Sequence, residues 1–323
     1  MRTQLISNST PDGSAPQAPK HKSVLLQEVL EALQVKPSDI VFDGTLGSAG
    51  HAKEFIKRLG KNGVFIGSDL DKKSLQIAKE QISVMQSKCK VLLFQGNFKD
   101  IKKFLEKANL THINKALLDL GWSKDQFEDF GKGFSFLKDE PLDMRFDESQ
   151  ELSAYEIVNF WSEETLADII FGFGQERKAR QIAKVIVAAR QKKPISSSRE
   201  LAKIVSQVFP KRYFKINPAT KTFQALRIAV NSELEVLKEA LENIENVLAP
   251  EGRLAVISFH SLEDRIVKNT FKNWVKEAKG TLLNKKPIVP SAQEIKENKS
   301  ARSAKLRVYE KKQKEANNES AKH

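Results

Sequence analysis

Four short apolar runs, each closed by an acidic or turn-forming residue and separated by stretches with helical spacing, most constrain what this chain can fold into. IVFDGTL (40–46), VFIGSDL (64–70), VLLFQGNF (91–98) and KALLDLGW (115–122) read as buried parallel strands. Between them, segments such as AKEFIKRLG and SLQIAKEQI repeat apolar residues at helical intervals. That alternation specifies an α/β fold built on a doubly wound, Rossmann-like sheet.

The rhythm stops after Trp122. Loop and then helix signals fill 123–221, and the next clear strand, RLAVISF, comes only at 253–259. Residues 123–221 are therefore expected to form an inserted helical domain, leaving a core of 21–122 plus 222–310. Inside the insertion, Ile182, Val185, Ile186 and Ala189 share one helical face, and Arg177, Arg180 and Lys184 share another. Ser197 and Glu200 have the spacing of a capping box ahead of ELAKIVSQVF. A long helix over 220–248 is expected to turn Leu234, Leu237, Leu241, Ile244 and Leu248 inward and to end at Pro250 and Gly252. KLRVYE (305–310) reads as an antiparallel edge strand beside KKPIVP. Residues 1–20 and those from 311 onward are polar enough to be disordered tails.

Charge narrows the partner. Lys and Arg number 54 against 41 Asp and Glu, a net +13, which favours an acidic partner and nucleic acid first. Arg177, Lys178, Arg180, Lys184, Arg190, Lys192 and Lys193 are candidate phosphate contacts. Cys89 stands alone, so an intramolecular disulfide and a thiolate-rich zinc site are excluded, and no metal-ligand cluster is visible. With no apolar run near bilayer length and no signal-peptide segment, the expected location is cytoplasmic, without membrane contact.

The chemistry gathers at the strand ends. DGTLGSAGH (43–51) places glycines at 44, 47 and 50 where a tight turn must precede a helix, so backbone can approach a ligand closely. Its spacing is not the GxGxxG of pyrophosphate sites, which argues against a nicotinamide oxidoreductase. Asp69 ends the second run, where a carboxylate can accept ribose hydroxyls; Phe98 ends the third and can pack on adenine; Asp119 ends the fourth. Taken singly, these acids can be helix caps and Phe98 ordinary core. Ser258, His260, Ser261, Glu263 and Asp264 crowd the next strand end, and Asp143 and Arg145 lie in PLDMRFD. No nucleophile elbow accompanies them, which disfavours a Ser/His/Asp hydrolase. His260 is equally readable as a helix cap. Gln224, Arg227 and Asn231 share one polar helical face, able to present amides and a guanidinium to RNA or simply to be solvated.

Taken in order, HKSVLLQEVLEAL, DGTLGSAGH, DLGWSKDQF, GKGFSFLKDEPLDMRFD, INPATKTFQALRIAVNSEL, EGRLAVISFHSLEDRIVK and SARSAKLRV resemble the bacterial ribosomal RNA small-subunit methyltransferase H family, also called MraW. The resemblance runs from His21 to Glu310. It implies a class I methyltransferase that uses S-adenosyl-L-methionine to methylate N4 of a cytidine in the decoding centre of 16S rRNA, with the small ribosomal subunit as partner. It also implies cofactor contacts from Ala49, Gly50, His51, Asp69, Phe98, Asp119 and Gln126. Asp119, His260 and Asp143 are the catalytic candidates, and Arg145, Arg177, Arg180, Lys184, Gln224, Arg227 and Asn231 the RNA-binding ones. Ala49 replaces the family's usual glycine, with a methyl facing the methionine end and the backbone donor left available. Lys124, Asp125 and Asn217 also depart from the pattern. A homodimer is compatible with an exposed helical insertion. A non-catalytic RNA-binding assembly factor is the competing reading; it would need no cofactor pocket.

Overall fold

The computed structural model describes residues 22–121, 131–210 and 217–313. Seven strands form one sheet in the order β3-β2-β1-β4-β5-β7-β6. They are β1 (Ile40–Asp43), β2 (Val64–Asp69), β3 (Lys90–Gln95), β4 (Ile113–Asp119), β5 (Leu248–Ser258), β6 (Gly280–Leu282) and β7 (Lys305–Lys311). β1 to β5 pair in parallel, and β7 runs antiparallel between β5 and β6.

The continuous apolar runs are explained by burial on both faces. Val41, Phe65, Leu117, Ala255 and Ile257 face a layer that includes α1 (Leu26–Leu33), α2 (Gly50–Arg58) and α3 (Lys72–Ser83). Their neighbours Phe42, Ile66, Leu118, Leu254 and Val256 face α4 (Ile101–Ala108) and helices from the second half of the chain. One residue of slip would exchange these two sets, so the sequence pins the register.

Beyond β4, α5 (Ala154–Phe160), α6 (Glu163–Gly172), α7 (Ala179–Arg190) and α8 (Ser198–Ser206) gather around a separate apolar cluster. α9 (Thr220–Asn231) contributes Phe223, Leu226 and Val230 to that same cluster, so the expected border at 221/222 falls within a helix. α10 (Glu233–Val247) returns to the sheet, and α11 (Ser261–Lys276) and α12 (Ala292–Glu297) complete the described helices.

Four further expectations are corrected. The single helix over 220–248 is two helices, because Ser232 takes a left-handed conformation (φ 47°) that closes α9 and opens α10. Leu248 to Gly252 already belong to β5, where pairing with β4 skips from Ile113–Leu248 to Lys115–Arg253. KLRVYE lies inside the sheet rather than at its edge and touches KKPIVP through one bridge, Ile288–Leu306. Arg253 to Glu310 (2.6 Å) and Arg307 to Asp264 (2.7 Å) hold β7 in that inner position. Ser197 caps α8 as its spacing predicts, but Glu200 reaches back to the Ser196 N–H rather than to Ser197. No described helix is long and apolar enough to cross a membrane.

Candidate active site

Each of the three strands β1, β2 and β4 ends on an aspartate, and the sheet order sets these ends side by side. The turn after β1 has to be glycine at its first position. A Cβ on Gly44 would lie 2.6 Å from Leu118 Cδ2 and 2.7 Å from Phe98 Cβ. Beyond it, Thr45 N–H donates to Asp43 Oδ1 (3.1 Å), and Thr45 Oγ1 accepts the Asp119 N–H (2.6 Å). Gly47, at φ 50°, donates its N–H to Asp69 Oδ2 (2.8 Å), while Asp71 N–H fixes Asp69 Oδ1 (2.9 Å). The Asp69 carboxylate is thereby oriented by backbone, with lone pairs remaining for further donors.

Ala49 sits at φ 62° and is wholly buried. Its N–H donates to the Leu46 carbonyl (2.8 Å), so the expectation that this donor stays available is corrected; the tight turn consumes it. α2 begins at Gly50, where a Cβ would collide with Ser23 Oγ at 1.9 Å. His51 is buried with Nε2 3.1 Å from the Val24 carbonyl, which can only accept, so Nε2 carries hydrogen. Its Nδ1 then faces Asp119 Oδ2 at 4.0 Å.

This concentration of acid has an electrostatic cost. Burial raises Asp43 to about 7, the Thr45 amide opposing and the Asp69 charge reinforcing it. Burial raises Asp69 to about 6 against the amides of Asp71 and Gly47. Asp119 rises to about 7 through burial, opposed by the Gly121 amide and reinforced by Asp43 and Glu263. Three carboxylates whose ionised forms are disfavoured in one place suit a cationic ligand.

Immediately beyond Asp119, Leu120 and Gly121 border a cavity of 280 Å³ between the sheet and the helical unit. Phe134, Phe136, Phe223 and Phe259 give it aromatic walls, and Gln224, Arg227, His260 and Glu263 give it polar groups. Phe136 and Phe223 meet edge to face at 5.3 Å. A Cβ on Gly121 would lie 2.4 Å from the Phe259 ring, so glycine lets the β4 turn and the β5 turn close together.

His260 caps α11: its Nδ1 accepts the Glu263 N–H (3.4 Å), and the Glu263 carboxylate takes the amides of Phe259 (2.8 Å) and His260 (3.2 Å). Its Nε2 is buried 3.1 Å from Glu263 Oε1, close enough for attraction but not aligned for a hydrogen bond. Arg227 grips both oxygens of Glu233 (2.7 and 2.8 Å). Glu233, His260 and Glu263 bring donor atoms within 4.8 Å of one another, a grouping that no sequence spacing announced. The Arg227 guanidinium stands beside it and supplies positive charge there.

The other anticipated residues divide. Gln224 lines the cavity, its Nε2 donating to the Phe173 carbonyl. Asn231 does not present its amide outward as expected for an RNA contact. It accepts from Phe146 N–H and donates to the carbonyls of Met144 and Arg227, stitching the 143–147 loop to α9. Asp143 and Arg145 clasp each other (2.7 and 3.0 Å), and Arg145 also donates to the Glu148 and Gln150 carbonyls. Burial pushes the Asp143 carboxyl up, yet Arg145 prevails and holds it below its usual range. Neither lines the cavity. Arg177, Arg180 and Lys184 are exposed on or beside α7, whereas Arg190 donates to the carbonyls of Val158 and Trp161. Phe98 packs over Gly44 as the glycine turn requires. Gln126, Lys124 and Asp125 lie outside the described residues.

A sheet of this order with its last strand antiparallel, carrying a glycine turn and acids at the ends of β1, β2 and β4, defines a Rossmann-like methyltransferase. Residues 18–312 match the MraW methylase family, and the chain belongs to it. Among curated relatives, it is 42% identical over 308 residues to the ribosomal RNA small subunit methyltransferase H of Clostridioides difficile, covering 90% of this chain and 98% of that one. The protein of the same name from Coprothermobacter proteolyticus is 45% identical over 292 residues, covering 90% and 96%. An rRNA methylase structure from Streptococcus thermophilus aligns with a TM-score of 0.42 at 13% identity, covering 90% of this chain and 93% of the other.

Proposed function

We propose that this chain uses S-adenosyl-L-methionine to methylate the exocyclic N4 of a cytidine in the decoding centre of 16S rRNA, acting in the cytoplasm on the small ribosomal subunit. The observation that carries the reading is the position of Asp119. Its amide is tied to the glycine turn through Thr45, its carboxylate faces His51, and the next two residues border the aromatic cavity. One residue thus joins a pocket suited to a cationic nucleoside with a pocket suited to a flat base.

The cofactor supplies an electrophilic methyl on a sulfonium sulfur. Asp69, held by two amides, is placed to accept ribose hydroxyls, with Gly50, His51, Phe98 and Gln126 as further contacts on the strength of the family resemblance. Asp43 and Asp119 supply negative charge near the cation. The target base leaves its stack and enters between phenylalanine rings, which tolerate any flat face; polar groups at the rim then select it. A bound cofactor would release its methyl to N4 and keep the bonding pair, and the amine would then have a proton to shed. Asp119 accepts it, since a carboxylate whose affinity for protons lies near neutrality is matched to that task. His260, with both ring nitrogens turned to Glu263, stands at the cavity as an orienting group, and Asp143 acts at a distance by holding its loop.

The helical unit, closed by α9, serves as the substrate-recognition insertion, with Arg177, Arg180 and Lys184 meeting phosphate. Labelled methyl transfer to small subunits purified from cells lacking this protein, followed by nucleoside analysis, tests the whole reading. N4-methylated cytidine is the expected product. Cofactor binding without labelled RNA would favour a different substrate, and RNA binding with no cofactor affinity would favour an assembly factor.

A further inference from the structure

A second concavity, of 530 Å³, lies on the helical unit between α7 and α8 and shares no residue with the aromatic cavity. The two helices build it with matching faces. Val185, Ala188, Ala189 and Lys192 follow the i, i+3, i+4, i+7 rule on one side, and Glu200, Lys203, Ile204 and Gln207 follow it on the other. Val185, Ala188, Ala189 and Ile204 give it an apolar floor that is open to solvent at Ala188, and Lys192, Lys193, Arg199 and Lys203 stand exposed around it.

Two acids, Asp139 and Glu200, face these four cations, and the Glu200 carboxylate already accepts the Ser196 N–H (3.1 Å). Among the described residues, Lys192, Lys193 and Lys203 form no ion pair, and Arg199 donates only to the Leu137 carbonyl (3.2 Å). Exposed cations ringing an open groove with an apolar floor are complementary to a chain that alternates anionic phosphate with flat, partly apolar groups. A membrane surface would instead call for apolar side chains projecting outward, and this floor is recessed.

We propose that the α7–α8 groove is a second RNA-holding site, which seats a single-stranded ribose–phosphate segment of the rRNA apart from the nucleotide that enters the aromatic cavity. The inference rests on the reading of the substrate as RNA. It gives the insertion an anchoring role: one RNA segment is gripped here while another is presented to the sheet.

The test measures binding of the full chain to 16S rRNA from cells lacking this protein, between about 50 and 200 mM salt, the range over which phosphate contacts lose most affinity. Lys192→Glu combined with Lys203→Glu is expected to weaken binding at least about tenfold and to lower the log–log salt slope by roughly two. Ala188→Trp fills the floor without changing charge and is expected to weaken binding about threefold or more, on the scale of one lost base contact. Lys102→Glu with Lys107→Glu, exposed on α4, makes the same change in net charge and is expected to bind as wild type. Melting temperature and cofactor affinity should stay unchanged throughout. Wild-type affinity in either groove variant overturns the proposal, as does an equal loss in the α4 control. Methyl transfer measured in parallel separates the two readings. Groove-dependent binding without transfer overturns the catalytic reading alone, and transfer with unaltered groove variants overturns the groove alone.

Discussion

His51 Nδ1 faces Asp119 Oδ2 across 4.0 Å while His51 Nε2 is committed to the Val24 carbonyl. With that tautomer, the Nδ1 lone pair faces the carboxylate, and a proton on Asp119 is the one that can lie between them.

Cofactor binding should therefore be linked to protons. Asp43 and Asp119, raised to about 7, and Asp69, raised to about 6, are partly protonated near neutrality in the free pocket and must ionise to meet a cation. Affinity for S-adenosyl-L-methionine should rise from pH 6 to pH 8, approaching about tenfold per pH unit for each proton released. Calorimetry in buffers of differing ionisation enthalpy would count those protons, and a pH-independent affinity would remove the linkage. Stability of the free protein has the opposite sign. Each raised carboxyl favours the fold below its unfolded value near 3.8, and that contribution fades as pH climbs through 7. Asp43→Asn should flatten the decline in melting temperature between pH 5 and 8.

Ala49 occupies a left-handed backbone position with its methyl fully buried. Glycine there would relieve roughly 1 kcal/mol of steric cost and forfeit a comparable packing gain. Ala49→Gly should leave stability within about 1 kcal/mol of wild type, whereas Ala49→Val, β-branched at positive φ, should lose at least about 2. Chemical denaturation of the two variants distinguishes backbone strain from packing; equal effects would contradict the first.

Arg227 and Glu233 form a largely buried bidentate pair, with Glu263 adding to the field around the guanidinium. Arg227→Met strands buried negative charge and should cost about 3 to 5 kcal/mol. Adding Glu233→Gln should recover part of that loss. A double-mutant cycle returning no coupling would mean that the pair contributes packing alone.

Gly121→Ala would drive a methyl into the Phe259 ring, which walls the aromatic cavity. Methyl transfer should fall at least about tenfold in kcat/KM, the scale of a misplaced substrate, with cofactor affinity retained. Phe259→Leu in the same chain should restore part of the rate. Normal turnover by Gly121→Ala would mean that the cavity does not hold the acceptor.

Sheet and cofactor end were legible because each depends on residues close in sequence: an apolar run, its closing acid and the glycine turn after it. Ser232 escaped because apolar residues recur at helical spacing on both sides of it (Leu226, Val230, Leu234, Leu237), although one left-handed residue changes the direction of the chain. Asn231 and Arg227 looked like an outward polar face because their partners, Met144, Phe146 and Glu233, are brought to them only by the fold. The aromatic cavity draws its phenylalanines from three separate stretches, and no period within any one of them reports that they meet. The paired phenylalanines of GKGFSF, set between the DLG and FHS turns in sequence, are a signal that could have suggested it.

Asp119 on β4 pairs with Ile257 on β5, and β5 in turn pairs with β7, which the ribosome makes last of all the described strands. The β4 edge therefore waits, unpaired and apolar, while the whole helical insertion is synthesised. Contacts so distant in sequence close slowly, and an open edge is a template for wrong partners. The helical unit, whose contacts are nearer in sequence, can collapse first and shorten the span that β5 must bridge. An insertion read as a device for recognising substrate thus carries a second burden at birth: until it compacts, the catalytic sheet remains a half-built surface in need of shelter.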